Sequence, residues 1–186
     1  QLRMIDAVAA ANSNTVVVLL CGSAVECPWA DRVKGILYMG LPGQAGGEAV
    51  ADLLCGRANP SGKLAESWPL SYADVPSSEI YGKTDDALYE EGLYVGYRYY
   101  EKSGVAVRWR FGYGLSYTEF CYSDLTVNGD TVSVTVRNTG KRAGAEVVQL
   151  YIRAPQDGLH RPLRELKGFQ KVFLQSGESR TVTFPL

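Results

Sequence analysis

The chain has 186 residues, enough for one large domain or two modest ones, and 46% of them are apolar against 21% charged. Nineteen basic against twenty acidic side chains leave a net charge of -1, which excludes the basic excess of a dedicated nucleic-acid binder and the polybasic patch of a membrane-surface protein. The longest unbroken apolar run has six residues, too few to cross a bilayer.

His160 is the single histidine of the chain. It leaves little material for a Ser-His-Asp site or a multi-histidine metal site, so we expect no metal and no other cofactor. His160 itself lies between predicted strands and is interpreted as an exposed or hydrogen-bonded loop residue.

Alternating helix and strand patterns fill the first sixty residues. The predicted elements are a helix over 4–11, a strand over 15–20, a short helix from Pro28 to about Lys34, a strand over 35–39 and a helix over 46–55. Both strands are apolar runs without polar alternation, as in parallel strands buried on both faces. This order predicts a right-handed βαβ unit and therefore an α/β layer.

From about residue 120 the apolar pattern changes to a period of two. The predicted strands are 125–127, 132–136, 148–152, 169–174 and 181–184. Asn128-Gly129, between the first two of them, predicts a hairpin. Short strands separated by turns are typical of an antiparallel β-sandwich. We therefore expect two domains, an α/β layer with its connector over 1–118 and a sandwich over 119–186.

The cysteines are Cys21, Cys27, Cys55 and Cys121, and they include no CxxC pair, so neither a zinc knuckle nor a redox motif is expected. Cys21 and Cys55 lie inside apolar patterns, which predicts free thiols at core positions, with disulfides as the alternative. Free buried thiols favour a reducing compartment such as the cytoplasm.

Two glycine-rich stretches lack the residues that phosphate or acyl chemistry needs. Residues 40–47 join a strand to a helix without the Gly-Lys-Ser/Thr of a P-loop, so we interpret them as a tight turn. Residues 112–118 resemble a nucleophile elbow, but Thr118 occupies the place of its second glycine.

The paired carboxylates Glu90 and Glu91 suggest glycoside hydrolysis, which uses two carboxyl groups on either side of the scissile bond. On an extended segment adjacent side chains point to opposite faces, so these two are not expected to address one bond. The simpler interpretation is a solvated loop with an ion pair to Arg98. The aromatic residues of 94–100 are interpreted as packing between domains, with a sugar-binding platform as the alternative.

Several stretches together resemble the C-terminal part of glycoside hydrolase family 3, the β-glucosidase family. The matching stretches are 16–19, 22–29, 42–47, 51–56, 59–64, 89–100, 111–118 and 161–169. The last of these resembles the fibronectin type III-like domain that ends many members. One departure is Val107-Arg108-Trp109-Arg110, where the family usually has a Pro-Leu-Phe-Pro-like segment.

The resemblance implies an N-terminal (β/α)8 barrel elsewhere in the protein, carrying the nucleophilic aspartate in a Ser-Asp-Trp-like motif. The acid/base glutamate of the closest subgroup lies in a Ser-Glu-Gly-x-Asp-Arg-like loop. Neither motif occurs in this sequence. The resemblance therefore implies a fragment, open at both ends, that contributes scaffold and the loops around Glu91 and Tyr94 to the rim of a sugar site.

The expected substrate of the joined protein is a terminal β-linked glucoside or a related oligosaccharide, and no catalytic residue is assigned within the chain. The alternative functions are a carbohydrate-binding module and a purely structural module built on the sandwich. Binding to insoluble and soluble glucans would separate these two alternatives from one another.

Overall fold

A computed structural model describes residues 1–83, 85–86, 88–155 and 157–186. Its elements are α1 (Leu2–Ala11), β1 (Val16–Leu19), β2 (Gly35–Tyr38), α2 (Gly46–Leu54), β3 (Trp68–Pro69), α3 (Tyr97–Ser103), β4 (Val107–Trp109), β5 (Phe120–Asn128), β6 (Thr131–Asn138), β7 (Gly144–Ile152), β8 (Glu165–Leu174) and β9 (Ser179–Pro185). Helices on a parallel strand pair precede an antiparallel sandwich, as predicted. None of the helices in the described part of the chain has the length and apolar character of a membrane span.

The parallel pair of β1 and β2 confirms the predicted α/β layer. Val17 lies opposite Ile36 in parallel register. The two strands and α1 pack over a core in which Trp29 and Trp68 are almost fully buried. The Trp68 ring meets the edge of Trp109 at a centroid distance of 5.4 Å. Because aromatic rings bury large areas, this cluster is the main apolar centre of the layer.

Three features of the α/β part differ from the sequence predictions. After Pro28 the chain forms only a single 3₁₀ turn, Ala30–Arg32, instead of a helix. The strands β3 and β4, which pair antiparallel, were not predicted. Neither was α3, which occupies part of the segment interpreted as extended.

The sandwich consists of a three-stranded sheet, in the order β5-β6-β9, and a two-stranded sheet of β7 and β8. All neighbouring strands in it are antiparallel. The inward side chains alternate along the strands, which follows from the period of two in the sequence. The buried core between the sheets is formed by Val136, Val148, Val172, Leu174, Val182 and Phe184.

The predicted hairpin at Asn128-Gly129 is confirmed, with its turn shifted by one residue. Asn128 pairs with Thr131, so Gly129 and Asp130 form the two-residue loop. Gly129 has a φ of 55°, a left-handed conformation that favours glycine at the first position of such a loop.

The two parts of the chain meet at a buried ion pair. The Lys63 ammonium, in the segment after α2, lies 3.0 Å from the Glu146 carboxylate on β7, and the side chains are only 16% and 12% exposed. Lys63 also donates a hydrogen bond to the Gly114 carbonyl (2.9 Å). The Tyr122 hydroxyl donates to Glu146 (3.0 Å). These contacts join the α/β layer, the connector and the sandwich at one point.

All four cysteines are free, as predicted, but their positions differ from the expectation. Cys27 is buried and Cys21 is half-buried, whereas Cys55 is exposed. The prediction that Cys55 occupies a core position is therefore wrong, because the end of α2 lies on the surface of this chain.

Thiol titration checks these positions. Burial raises the pKa of the Cys27 thiol to about 11, and the thiolate is the reactive form. At about pH 8 we expect two fast equivalents from the exposed Cys55 and Cys121. All four should react after unfolding without reductant. A total of two or zero would reveal a disulfide and contradict the structure.

Candidate functional site

The segment that carries the paired glutamates forms a turn, which corrects the extended conformation expected for it. Glu90 and Glu91 both lie in this turn. The Tyr94 N–H donates a hydrogen bond to the Glu91 carbonyl (2.9 Å), closing it. The two side chains therefore do not diverge along an extended backbone, and that expectation is wrong. The two carboxylates nevertheless differ, since Glu90 is exposed and Glu91 is half-buried.

Tyr94 contributes an unsatisfied polar atom to this turn. Its hydroxyl oxygen is fully buried and has no hydrogen-bond partner among the described residues. A buried hydroxyl without a partner loses the hydrogen bonds that water would supply, which costs free energy.

The pKa of Tyr100, on α3, responds to several acidic groups. Burial raises the pKa of the Tyr100 hydroxyl, and the neighbouring Tyr99 raises it further. The negative charges of the Asp74, Glu91 and Glu66 carboxylates raise the pKa in the same direction. Among the described residues, no group of His, Cys, Asp or Glu side chains could hold a metal ion.

Glu66 and Asp74 were not predicted as part of this group. Glu66 precedes β3, and Asp74 ends a 3₁₀ turn whose capping Ser71 accepts a hydrogen bond from the Ala73 N–H. Neither lies within fifteen residues of Glu91 in the sequence. Local spacing therefore contains no signal that would have found them.

Arg98 does not pair with Glu90 or Glu91, and that prediction is wrong. Its guanidinium lies 3.7 Å from the Glu165 carboxylate at the start of β8. It also lies 5.2 Å from the centroid of the Tyr97 ring. The ion pair therefore joins α3 to the sandwich and leaves Glu91 without this cation.

Tyr97 of α3 packs between the domains, as the favoured interpretation predicted for the aromatic residues of this segment. The Tyr97 ring stacks on Phe111 at a centroid distance of 5.0 Å and meets the edge of Tyr151 at 5.9 Å. Tyr97 and Tyr100 are buried. These two rings are therefore not available as an exposed platform in this chain.

The remaining sequence candidates are explained by structure. His160 is exposed, as expected of a loop residue. In the turn of residues 40–47, a Cβ on Gly46 would lie 2.7 Å from Pro42, which explains the glycine by close packing. A Cβ on Gly114, in the elbow-like stretch, would lie 2.2 Å from the Gly62 carbonyl. This glycine lets the connector approach the segment after α2.

Comparison with protein families gives two matches. Residues 1–97 match the model of the glycosyl hydrolase family 3 C-terminal domain. The chain belongs to this family. Residues 146–186 match the model of the fibronectin type III-like domain. The family 3 assignment agrees with the α/β layer, and the second match agrees with strands β7 to β9.

Curated relatives of this family 3 chain include two bacterial enzymes. It is 52% identical over 195 residues to the thermostable beta-glucosidase B of Acetivibrio thermocellus, covering 100% of this chain and 26% of the relative. It is 49% identical over 193 residues to the exo-alpha-(1->6)-L-arabinopyranosidase of Bifidobacterium breve, with the same two coverages. The chain thus spans about a quarter of the length of these relatives.

Solved structures show the same arrangement. Beta-glucosidase 3B from Thermotoga neapolitana in complex with glucose superposes with a TM-score of 0.90 at 46% identity, covering 98% of this chain and 27% of that one. The GH3 beta-glucosidase of Bifidobacterium adolescentis gives a TM-score of 0.93 at 44% identity, covering 99% and 28%. Nothing in these comparisons supports an isolated carbohydrate-binding or structural module.

Proposed function

We propose that this chain is the C-terminal part of a retaining β-glucosidase-type glycoside hydrolase that removes terminal β-linked glucose or related sugars. The observation that supports this most is the alignment of the whole chain with a beta-glucosidase at 52% identity, across the α/β layer and the sandwich together. We place the boundary between the two domains near residue 118, just before β5 begins at Phe120.

In this proposal the chemistry depends on two carboxyl groups outside the chain. A retaining enzyme forms a covalent glycosyl-enzyme intermediate on one carboxylate, while the other protonates the leaving oxygen and then activates water. The nucleophile belongs to an N-terminal (β/α)8 barrel of the same protein, and the acid/base glutamate belongs to a loop that this sequence does not contain. The barrel is therefore the principal partner of this chain.

The chain itself supplies scaffold and part of the rim of the sugar site. We assign the rim to the turn of Glu91 and Tyr94, because it combines a half-buried carboxylate with a buried, unpartnered hydroxyl. A half-buried carboxylate can accept hydrogen bonds from sugar hydroxyls.

A reconstitution assay tests the function. The purified chain should release no p-nitrophenol from an aryl β-glucoside, because the two required carboxyl groups are absent from it. The same chain joined to, or expressed with, its N-terminal barrel should release it. An aryl α-L-arabinopyranoside provides the second substrate, chosen because one relative carries that activity in its name.

The outcomes separate the possible assignments. Turnover of only the arabinopyranoside by the joined protein would contradict the glucoside assignment. Turnover by the isolated chain, abolished by Glu90→Gln or Glu91→Gln, would contradict the assignment of the catalytic groups to other segments.

A further inference from the structure

The helix that follows the proposed rim is too short to hold its own position. α3 has seven residues, and its N-cap, Gly96, offers no side-chain hydrogen bond. Helices of this length are unstable in isolation, because nucleating a helix costs more free energy than its few hydrogen bonds contribute. The place of α3, and of the turn that ends two residues before it, must therefore come from tertiary contacts.

The start of β8 provides the first of these contacts. The backbone N–H of Leu166 donates a hydrogen bond to the Tyr97 hydroxyl (2.8 Å). The Tyr97 ring is held in turn by the stack on Phe111 and by the edge of Tyr151. One end of the helix is therefore attached to the sandwich through a buried aromatic side chain.

Arg164 provides the second contact, which reaches α3 at Glu101, about one helical turn after Tyr97. Its Nε lies 3.0 Å from both carboxylate oxygens of Glu101, and its Nη2 also contacts Oε1. The guanidinium lies over the Tyr151 ring, 5.0 Å from the centroid. A planar guanidinium that lies on a ring and pairs with a carboxylate through two N–H groups has little rotational freedom. A lysine ammonium could not reproduce this paired geometry.

The same helix is joined to the rim turn through Gly96. The N–H groups of Tyr99 and Tyr100 donate to the Gly96 carbonyl, at 3.0 and 3.4 Å. Only Val95 and Gly96 separate α3, which begins at Tyr97, from the turn that the Tyr94 N–H closes on the Glu91 carbonyl (2.9 Å). A displacement of α3 would therefore displace the turn that carries Glu91 and Tyr94.

We propose that Arg164 is a positioning residue for the sugar site, through which the sandwich domain holds α3 and the rim turn in place. This inference rests on the proposed function and gives the sandwich a role in substrate binding. Arg164 touches no substrate in this assignment. It acts through Glu101, and its effect is on where the turn of Glu91 and Tyr94 lies.

Amide hydrogen exchange in the 186-residue chain tests the physical part of the proposal. Arg164→Met should accelerate exchange at Tyr94, Tyr99 and Tyr100 roughly tenfold, while amides of β6 and β9 exchange at the wild-type rate. Arg164→Lys should give an intermediate acceleration, and it replaces the methionine variant if that variant fails to fold. The matched control is Arg180→Met, which breaks a surface pair with Glu178 (3.0 Å) in the same domain.

Kinetics of the joined protein test the functional part. Arg164→Met should raise KM for the aryl glucoside roughly fivefold, leave the pH profile of kcat unchanged, and be partly rescued by Arg164→Lys. Arg180→Met should change neither KM nor kcat. An accelerated exchange together with this rise in KM would support the proposal.

Two results would overturn different statements. Unchanged exchange at Tyr94 and Tyr100 in Arg164→Met, or equal acceleration in Arg180→Met, would overturn the positioning role, whatever the kinetics. If Glu91→Gln leaves KM unchanged, the proposed rim is wrong, and the exchange result still decides whether Arg164 controls the turn.

Discussion

Replacing Asn138 with alanine should lower the free energy of unfolding of the sandwich by about 3–5 kcal/mol. Asn138 ends β6 and is completely buried. Its amide group donates to the carbonyls of Arg142 (2.7 Å) and Leu174 (3.1 Å). Its carbonyl oxygen accepts from the Thr118 hydroxyl (2.7 Å) and from the Gly140 N–H (3.1 Å). Alanine removes all four hydrogen bonds, of which those with Thr118 and Leu174 are buried and those with Arg142 and Gly140 are partly buried.

The cost is large because the bonds with the Thr118 hydroxyl and the Leu174 carbonyl lie in the buried part of this network. A buried group without a hydrogen bond costs about 1–3 kcal/mol, and part of this is recovered when the loop relaxes. Urea unfolding followed by circular dichroism measures the change in the free energy of unfolding. Asn128→Ala, at an exposed strand end, is the control and should cost less than about 0.5 kcal/mol. A loss below about 1 kcal/mol for Asn138→Ala would contradict this account.

The elements that could be predicted from sequence are those whose signal is local. The parallel pair of β1 and β2 follows from two apolar runs, and the β5–β6 hairpin follows from a glycine that tolerates a φ of 55°. In each case the residues that specify the element lie inside it or next to it. The family resemblance rests in the same way on short contiguous stretches.

The elements that were missed depend on distant contacts. α3 is only seven residues long, and the residues that hold it, Arg164 and Leu166, lie more than sixty positions away in the sequence. Cys55 shows a different error, since a core position was predicted for a residue that is exposed. Periodicity indicates which face of a helix is apolar, but not whether another element covers that face.

The candidate site was predicted only in part for the same reason. Glu91 and Tyr94 came from the family resemblance, whereas the effect of the Glu66 and Asp74 charges on Tyr100 arises only in the tertiary fold. Pairing of β3 with β4 brings the segment after α2 next to the connector, forty residues later in the chain. No window of local sequence contains that information.

Breaking the Lys63–Glu146 ion pair should have the second large effect. Lys63→Met leaves the Glu146 carboxylate at a site only 12% exposed, with the Tyr122 hydroxyl as its remaining hydrogen-bond partner. Removing one partner of a buried pair costs about 3–5 kcal/mol, because the other charge stays out of water. The double variant Lys63→Met/Glu146→Met removes both charges and should recover most of that loss.

A double-mutant cycle measures this coupling, with the exposed pair of Arg57 and Asp52 as the matched control. That pair is shorter, at 2.6 Å, but its side chains are 61% and 37% exposed. Water and salt screen it, so its coupling should stay below about 1 kcal/mol. Equal coupling for the two pairs would show that burial at the domain junction adds nothing.

The location of the pair determines how unfolding should change. Lys63 belongs to the α/β layer and Glu146 to β7, so the wild-type pair penalises any state in which only one domain is folded. Lys63→Met alone removes the attraction and should split one calorimetric transition into two, with the sandwich unfolding separately. Arg57→Met, whose ion pair lies within the α/β layer, should leave the number of transitions unchanged. If Lys63→Met lowers Tm without separating the transitions, the pair stabilises the fold but does not couple its two domains.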